Sequence, residues 1–142
     1  MAEVREVTTD EEIAATYPVM RQLRPHLDES GYPATVIRMR ESGYRLASVI
    51  DEGRVRAVAG FRVQEFLAHG GFLYVDDLVT DEAARSGGYG KLLLDWLEGE
   101  ARERGCGKLQ LDSGVRRAEA HRFYFREGMS ISSFHFAKVL DG

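Results

Sequence analysis

Two neighbouring acids and a glycine-rich turn carry the chemical promise of this chain. Asp76 and Asp77 lie inside an otherwise apolar run, Phe72 to Val79. Acids in such a run are costly to bury without partners. Either they reach solvent or an arginine at a strand end, or one of them works as a base in a cleft. Nine residues after Asp76 comes Arg85-Ser86-Gly87-Gly88-Tyr89-Gly90-Lys91, the opening of a helical segment. Glycines allow a ligand close to the backbone. The first N–H groups of a helix have no partner within it and carry the positive end of its dipole. With the Arg85 cation they form a cradle for a pyrophosphate. The competing reading is a plain strand-to-helix turn. The spacing is neither the dinucleotide pattern Gly-x-Gly-x-x-Gly nor a phosphate loop ending in Gly-Lys-Ser/Thr.

These residues need a scaffold, and the chain supplies one in order. Val4 to Thr8 reads as a strand. Thr9 or Asp10 caps a helix from Glu11 to about Leu23, which Pro18 is positioned to split. An irregular stretch from Pro25 to Pro33 precedes a second helix, Ala34 to Ser42, ended by Gly43. Tyr44–Ile50 and Val55–Phe66 are strands joined by the hairpin turn Asp51-Glu52-Gly53-Arg54. Gly60 marks a bulge in the second. The turn Ala68-His69-Gly70-Gly71, with a solvated His69, leads to a fourth strand, Phe72 to Thr80. Strict alternation there sends Asp76 and Asp77 to opposite faces. The helix Tyr89 to Arg104 buries Leu93, Trp96, Leu97 and Ala101 at helical spacing. A fifth strand, Lys108 to Asp112, a helix from Arg117 to Glu127 and a closing strand or pair of strands over Ile131–Leu140 complete the series.

The 142 residues are sized for one domain with one core, 44% apolar and 30% charged. No window approaches the ~20 apolar residues of a membrane span. Met1 to Glu6 lacks a signal-peptide pattern. The single cysteine, Cys106, cannot form an internal disulfide, which fits the cytoplasm. It reads as a small core or loop residue. A net charge of −4 argues against a nucleic-acid partner and favours a cationic substrate. No Cys/His cluster suggests a metal.

Arg85-x-x-Gly88-x-Gly90, then a helix, a strand and Ala120-His121-Arg122-Phe123-Tyr124-Phe125-Arg126-Glu127-Gly128-Met129, resembles the GNAT superfamily of acetyl-CoA-dependent N-acetyltransferases. The likeness is strong from Phe72 to Met129 and weak before Tyr44. It implies an α/β (α+β) fold: a mixed, mostly antiparallel sheet flanked by about four helices, with splayed fourth and fifth strands and acetyl-CoA in the gap. It also implies backbone contacts to the pantetheine arm from Leu78, Val79 and Thr80. Arg85 and the amides of Ser86, Gly87, Gly88, Tyr89, Gly90 and Lys91 would hold the pyrophosphate. Tyr124 matches the tyrosine that protonates the departing thiolate; a core aromatic beside Phe123 is the plainer reading. Arg117 stands where many members carry Asn, and it either meets a phosphate or lies in solvent. Tyr74-Val75-Asp76-Asp77-Leu78-Val79 is similar to the strand of spermidine/spermine acetyltransferases, where a glutamate at the Asp76 position is the base. Aspartate is one methylene shorter, so a bridging water fits there, and Asp77 is the alternative base.

The resemblance thus implies acetyl transfer to a primary amine of a small molecule or protein, with acetyl-CoA as co-substrate. Two other classes compete. A non-catalytic acetyl-CoA sensor could dispense with Tyr124. A toxin acetylating aminoacyl-tRNA would favour a basic surface. Neither nucleic acid nor a membrane is expected as partner, and a homodimer is left open.

Overall fold

The computed structural model describes residues 1–141. They form two compact units, Met1–Leu111 and the residues from Asp112 onward.

The first unit is built on a five-stranded sheet in the order β1-β2-β3-β4-β5. Its strands are β1 (Glu3–Val7), β2 (Arg45–Asp51), β3 (Arg54–Phe66), β4 (Gly70–Thr80) and β5 (Lys108–Leu111). The first four are antiparallel neighbours and β5 runs parallel to β4. Helices α1 (Asp10–Leu23) and α2 (Tyr32–Arg40) lie between β1 and β2 in sequence; α3 (Tyr89–Glu103) lies between β4 and β5. This is the mixed, mostly antiparallel sheet expected.

Thr9 starts α1 with a reciprocal cap. Its hydroxyl accepts from the Glu12 N–H at 3.1 Å, and the Glu12 carboxylate accepts from the Thr9 N–H at 3.0 Å. Backbone N–H groups of Thr9 and Thr8 on that carboxylate lower the Glu12 pKa to about 2. Contrary to expectation, Pro18 does not split α1. Pro18 faces solvent, while Ile13, Thr16, Tyr17, Val19 and Met20 are buried and hold the helix to the sheet. The second helix starts two residues before the expected Ala34, because Pro33 falls in its first turn. A missing N–H there breaks no intrahelical bond.

Ile13, Met20, Val36, Leu46 and Val58 build the core between the sheet and the α1–α2 pair. On the other face α3 buries Leu93, Leu94, Leu97 and Ala101. Each fully buried leucine contributes roughly 1.5–3 kcal/mol. Trp96, expected in that buried stripe, is only half-buried and stands edge-on to Phe61 with ring centroids 5.9 Å apart.

Two irregularities in β4 set the geometry of the acids and of the strand's free edge. The β3–β4 register slips: Gly60 faces Asp77, Phe61 faces Val75, and Asp76 is the extra residue of a bulge. The bulge expected at Gly60 is therefore present, with its surplus residue on the partner strand. Pairing between β4 and β5 runs only from Phe72↔Lys108 to Val75↔Leu111. Beyond Val75, β4 keeps β3 as its ladder partner and has left β5.

In the second unit, α4 (Ala118–Arg126) ends near Gly128. The closing strand expected over Ile131–Leu140 does not form; residues 129–141 are irregular. Phe134 and Phe136 alternate as in a strand but stand exposed. Among the described residues, no neighbouring strand supplies the ladder bonds that an extended segment needs.

Candidate active site

The bulge decides where the two acids point. Along β3, Phe61 meets Trp96 of α3, so Arg62 points to the opposite face, where α1 and α2 pack. The Arg62 Nε donates to both oxygens of Asp76, at 3.0 and 3.3 Å. Its guanidinium lies over the Tyr44 ring, 5.3 Å from the centroid. The Tyr44 hydroxyl donates to Asp77 Oδ2 at 2.6 Å, and Arg24 Nε donates to Asp77 Oδ1 at 2.9 Å. Both acids therefore join one network on the α1–α2 face. The expectation of opposite faces fails because Asp76 occupies the bulge, which interrupts the two-residue period.

The network is closely fitted. A Cβ on Gly60 would lie 1.9 Å from the Tyr44 hydroxyl oxygen and 2.6 Å from Asp77 Oδ2, so only glycine fits opposite Asp77. Arg24, at the end of α1, also donates from Nη2 to the Asp76 carbonyl at 3.0 Å, clamping the bulge. Burial raises the Asp76 pKa; the Arg62 cation and its hydrogen bond oppose that, Asp77 adds to it and Arg24 opposes it. Burial also pushes the Tyr44 pKa well up, and the Asp77 charge adds to this, so Tyr44 stays a donor. Asp77 has both oxygens engaged and a side chain only 13% exposed. Asp76 is the more accessible acid, at 21%.

At the far end of β4 the chain enters a 3-10 segment, Glu82–Gly87, and then α3. Helix α1 supports this entry: Gln22 accepts from the Glu82 N–H at 2.9 Å and donates to Asp81 at 3.2 Å. Gly88 caps α3 with φ of +76°, a left-handed conformation natural to glycine, and no side chain caps the helix. A Cβ on Gly88 would meet nothing within 4 Å, so space above the cap is open. The Tyr89 ring covers Gly87, where a Cβ would lie 2.6 Å from it. The Tyr89 hydroxyl donates to Asp51 at 2.7 Å, which lowers the Asp51 pKa and raises that of Tyr89. That side chain is engaged with the sheet, leaving the backbone of the turn for a ligand.

Arg85, Ser86 and Gly87 line a hollow of about 430 Å³, with Arg56, Glu52 and Glu82 on its walls. An open, uncapped helix start with a cationic side chain beside it fits the diphosphate of acetyl-CoA. Leu78, Val79 and Thr80 lie on the stretch of β4 that has left β5, so its backbone on that edge is not spent on a β5 ladder.

In the second unit Tyr124 is half-buried beside Phe123, with ring centroids 5.6 Å apart. Burial raises its pKa, opposed by the Arg117 charge and a hydrogen bond to Arg117. Tyr124 therefore carries its proton at neutral pH. Arg117, just before α4, is an exposed side chain that also bonds the tyrosine.

Sequence reasoning missed Tyr44, Arg24 and Arg62. The signal was faint: paired acids in an apolar strand demand cationic or hydroxyl partners, and Arg62 lies two residues beyond Gly60.

The family model described as Acetyltransferase (GNAT) family matches residues 7–129. A protein of Bacillus subtilis (strain 168) described as uncharacterized N-acetyltransferase YhdJ is 36% identical over 140 residues, covering 97% of this chain and 99% of the relative. Aminoalkylphosphonate N-acetyltransferase of Salmonella typhimurium is 31% identical over 145 residues, covering 99% and 92%. Among solved structures, aminoglycoside N-acetyltransferase AAC(6')-Iy in complex with CoA superposes with a TM-score of 0.86 at 10% identity, covering 99% of this chain and 95% of that one.

Proposed function

The chain belongs to the acetyltransferase (GNAT) family and is an acyltransferase; from that premise we propose that it moves the acetyl group of acetyl-CoA to a primary amine of a small molecule or protein. The observation that carries this reading is β4 itself. It presents a bulged, accessible carboxylate at Asp76, then an edge free of β5, then an uncapped helix start.

Acetyl-CoA supplies the thioester. In this reading Arg85 and the backbone from Ser86 to Lys91 hold its diphosphate, and Leu78, Val79 and Thr80 lend backbone groups to the pantetheine arm. An incoming ammonium gives one proton to Asp76, directly or through a water, and the free amine attacks the thioester carbon. A backbone N–H of β4 stabilises the oxyanion. Tyr124 donates its proton as the carbon–sulfur bond breaks, and the second proton leaving the attacking nitrogen passes through water to restore the tyrosine. Acid and base of this kind contribute ~10²–10⁴-fold each, and holding the amine beside the thioester supplies much of the rest. Asp77 is left to anchor Tyr44 and Arg24. Arg117 orients Tyr124. Residues 1–142 are taken as one catalytic domain working in the cytoplasm, and a homodimer is compatible with the scheme.

Thiol release with an acceptor panel tests the reading. Aminoalkylphosphonates belong on that panel because a 31% identical relative is named for them; polyamines, aminoglycosides, amino acids and protein N-termini complete it. Release that depends on both acetyl-CoA and one amine class supports transfer. Tight acetyl-CoA binding with no acceptor at all would favour a sensor. With an acceptor found, Tyr124→Phe should lower kcat by roughly 10²-fold with an unchanged thermal midpoint. A tyrosine serving only to pack would leave kcat alone.

A further inference from the structure

The whole-chain charge favours a cationic substrate, but the local charge beside Asp76 does not. Two carboxylates, Asp76 and Asp77, meet two guanidinia, Arg24 and Arg62, so their formal charges cancel. The two ion pairs are not equivalent. Asp77 is held by Arg24 and Tyr44 at 2.9 and 2.6 Å, and Arg24 is further tied to the Asp76 carbonyl. The Asp76–Arg62 pair is looser. Its Nε is shared between two oxygens, the second at 3.3 Å, and Arg62 Nη1 reaches the Ser42 hydroxyl only at 3.4 Å. Both partners keep about a fifth of their surface in solvent, 18% for Arg62 and 21% for Asp76. This is the pair an acceptor can open.

The charge balance selects the acceptor that opens it. A simple ammonium that takes Asp76 leaves Arg62 without a carboxylate in a partly buried place, which is unfavourable. A diamine adds a second cation beside Arg62 and Arg24, which is worse. A short amine with an anionic end exchanges one pair for two: its ammonium meets Asp76 and its anion meets Arg62. The local charge is unchanged, and a guanidinium fork suits a phosphonate or carboxylate well. We propose that the acceptor is a short zwitterionic amine and that Arg62 receives its anionic end. This rests on the reading of Asp76 as the acid that meets the amine. Arg62 is then the residue that sets acceptor class.

Three amines of one chain length test it on the full-length protein with saturating acetyl-CoA: aminopropylphosphonate, aminopropanol and diaminopropane. Wild-type kcat/KM should favour aminopropylphosphonate over aminopropanol by about tenfold or more, the worth of one good ion pair. Arg62→Gln should bring that ratio near one, and Arg62→Lys, which keeps the charge, should restore part of it. Using a ratio cancels any effect of the variant on Asp76 ionisation or cofactor binding. A preference for diaminopropane, or a ratio untouched in Arg62→Gln, overturns the proposal. Calorimetric binding of aminopropylphosphonate gives a readout without turnover. A loss of about tenfold in Arg62→Gln is expected, and equal affinity in a folded variant overturns the proposal. If that loss is seen but none of the three amines is acetylated, the Arg62 site stands and it is acetyl transfer to such amines that fails.

Discussion

The turn at 85–91 and the cluster around Asp76 lie at two ends of the same stretch of β4, yet they are built in opposite ways. The turn is made of backbone. None of its residues is buried, no side chain caps the helix it opens, and the space over Gly88 is empty. The cluster is made of side chains drawn from α1, the segment before β2, β3 and β4, with Tyr44 only 3% exposed. A backbone site can hold a ligand with little stake in the fold. A packed side-chain network cannot be altered without disturbing the elements it ties together. Damage to the turn should therefore cost binding, and damage to the cluster should cost stability first.

The largest effect is expected at Gly60. Gly60→Val puts carbon atoms where the Tyr44 hydroxyl and Asp77 stand, at 1.9 and 2.6 Å. Overpacking of this kind costs about 1–3 kcal/mol or more, and a clash with two committed polar groups belongs at the top of that range. Urea unfolding should show it as a shifted midpoint. A wild-type midpoint would mean the network is loose.

Tyr44→Phe is the gentler version. It removes one donor from Asp77 and keeps the ring under Arg62. A loss of about 1–3 kcal/mol follows from leaving a partly buried carboxylate short of a hydrogen bond. Acetyl-CoA affinity should not change, since Tyr44 is no part of the turn. A stability-neutral Tyr44→Phe would break the contrast between the two regions.

The smallest effect is one of pH. Asp76 has its pKa raised, mainly by burial, while Arg62 lowers it. As a base it works only when ionised, so kcat/KM should fall as pH drops through a value above the ordinary carboxylate range. Removing the Arg62 charge with Arg62→Gln should move this acid limb further up. The stability linkage has the same origin. A carboxyl with a raised folded pKa binds protons more readily folded than unfolded. Its own contribution therefore favours the fold at low pH and declines as pH rises through the folded pKa. An acid limb at or below the usual carboxylate value would exclude Asp76 as the base.

Legibility in the sequence divides along the same line. The glycine turn could be read as a strand-to-helix turn because its shape lies in backbone conformation and spacing, which Gly88 and Gly90 announce directly. The strands and α3 were legible through their apolar periods. The cluster was not, because Arg24, Tyr44 and Arg62 are far from Asp76 in sequence and meet it only through packing. The bulge was half-legible: Gly60 signalled it, but which strand carries the surplus residue depends on a register that no local pattern fixes, so strict alternation misplaces Asp76. Pro18 misleads because tertiary packing of Tyr17, Val19 and Met20 outweighs one missing helical bond. The Ile131–Leu140 segment has a strand's alternation but, among the described residues, no strand's partner.

The central claim is that acetyl-CoA is held by the turn and the amine is met at Asp76. Calorimetric titration of acetyl-CoA into Gly88→Val and Asp76→Asn, each checked for its thermal midpoint, tests it most directly. Valine at a φ of +76° forces the cap out of its conformation and should weaken acetyl-CoA binding about tenfold or more, roughly 1.4 kcal/mol. Asp76→Asn should bind acetyl-CoA as the wild type does. Wild-type affinity in a folded Gly88→Val, or a decade lost in Asp76→Asn, would contradict the account.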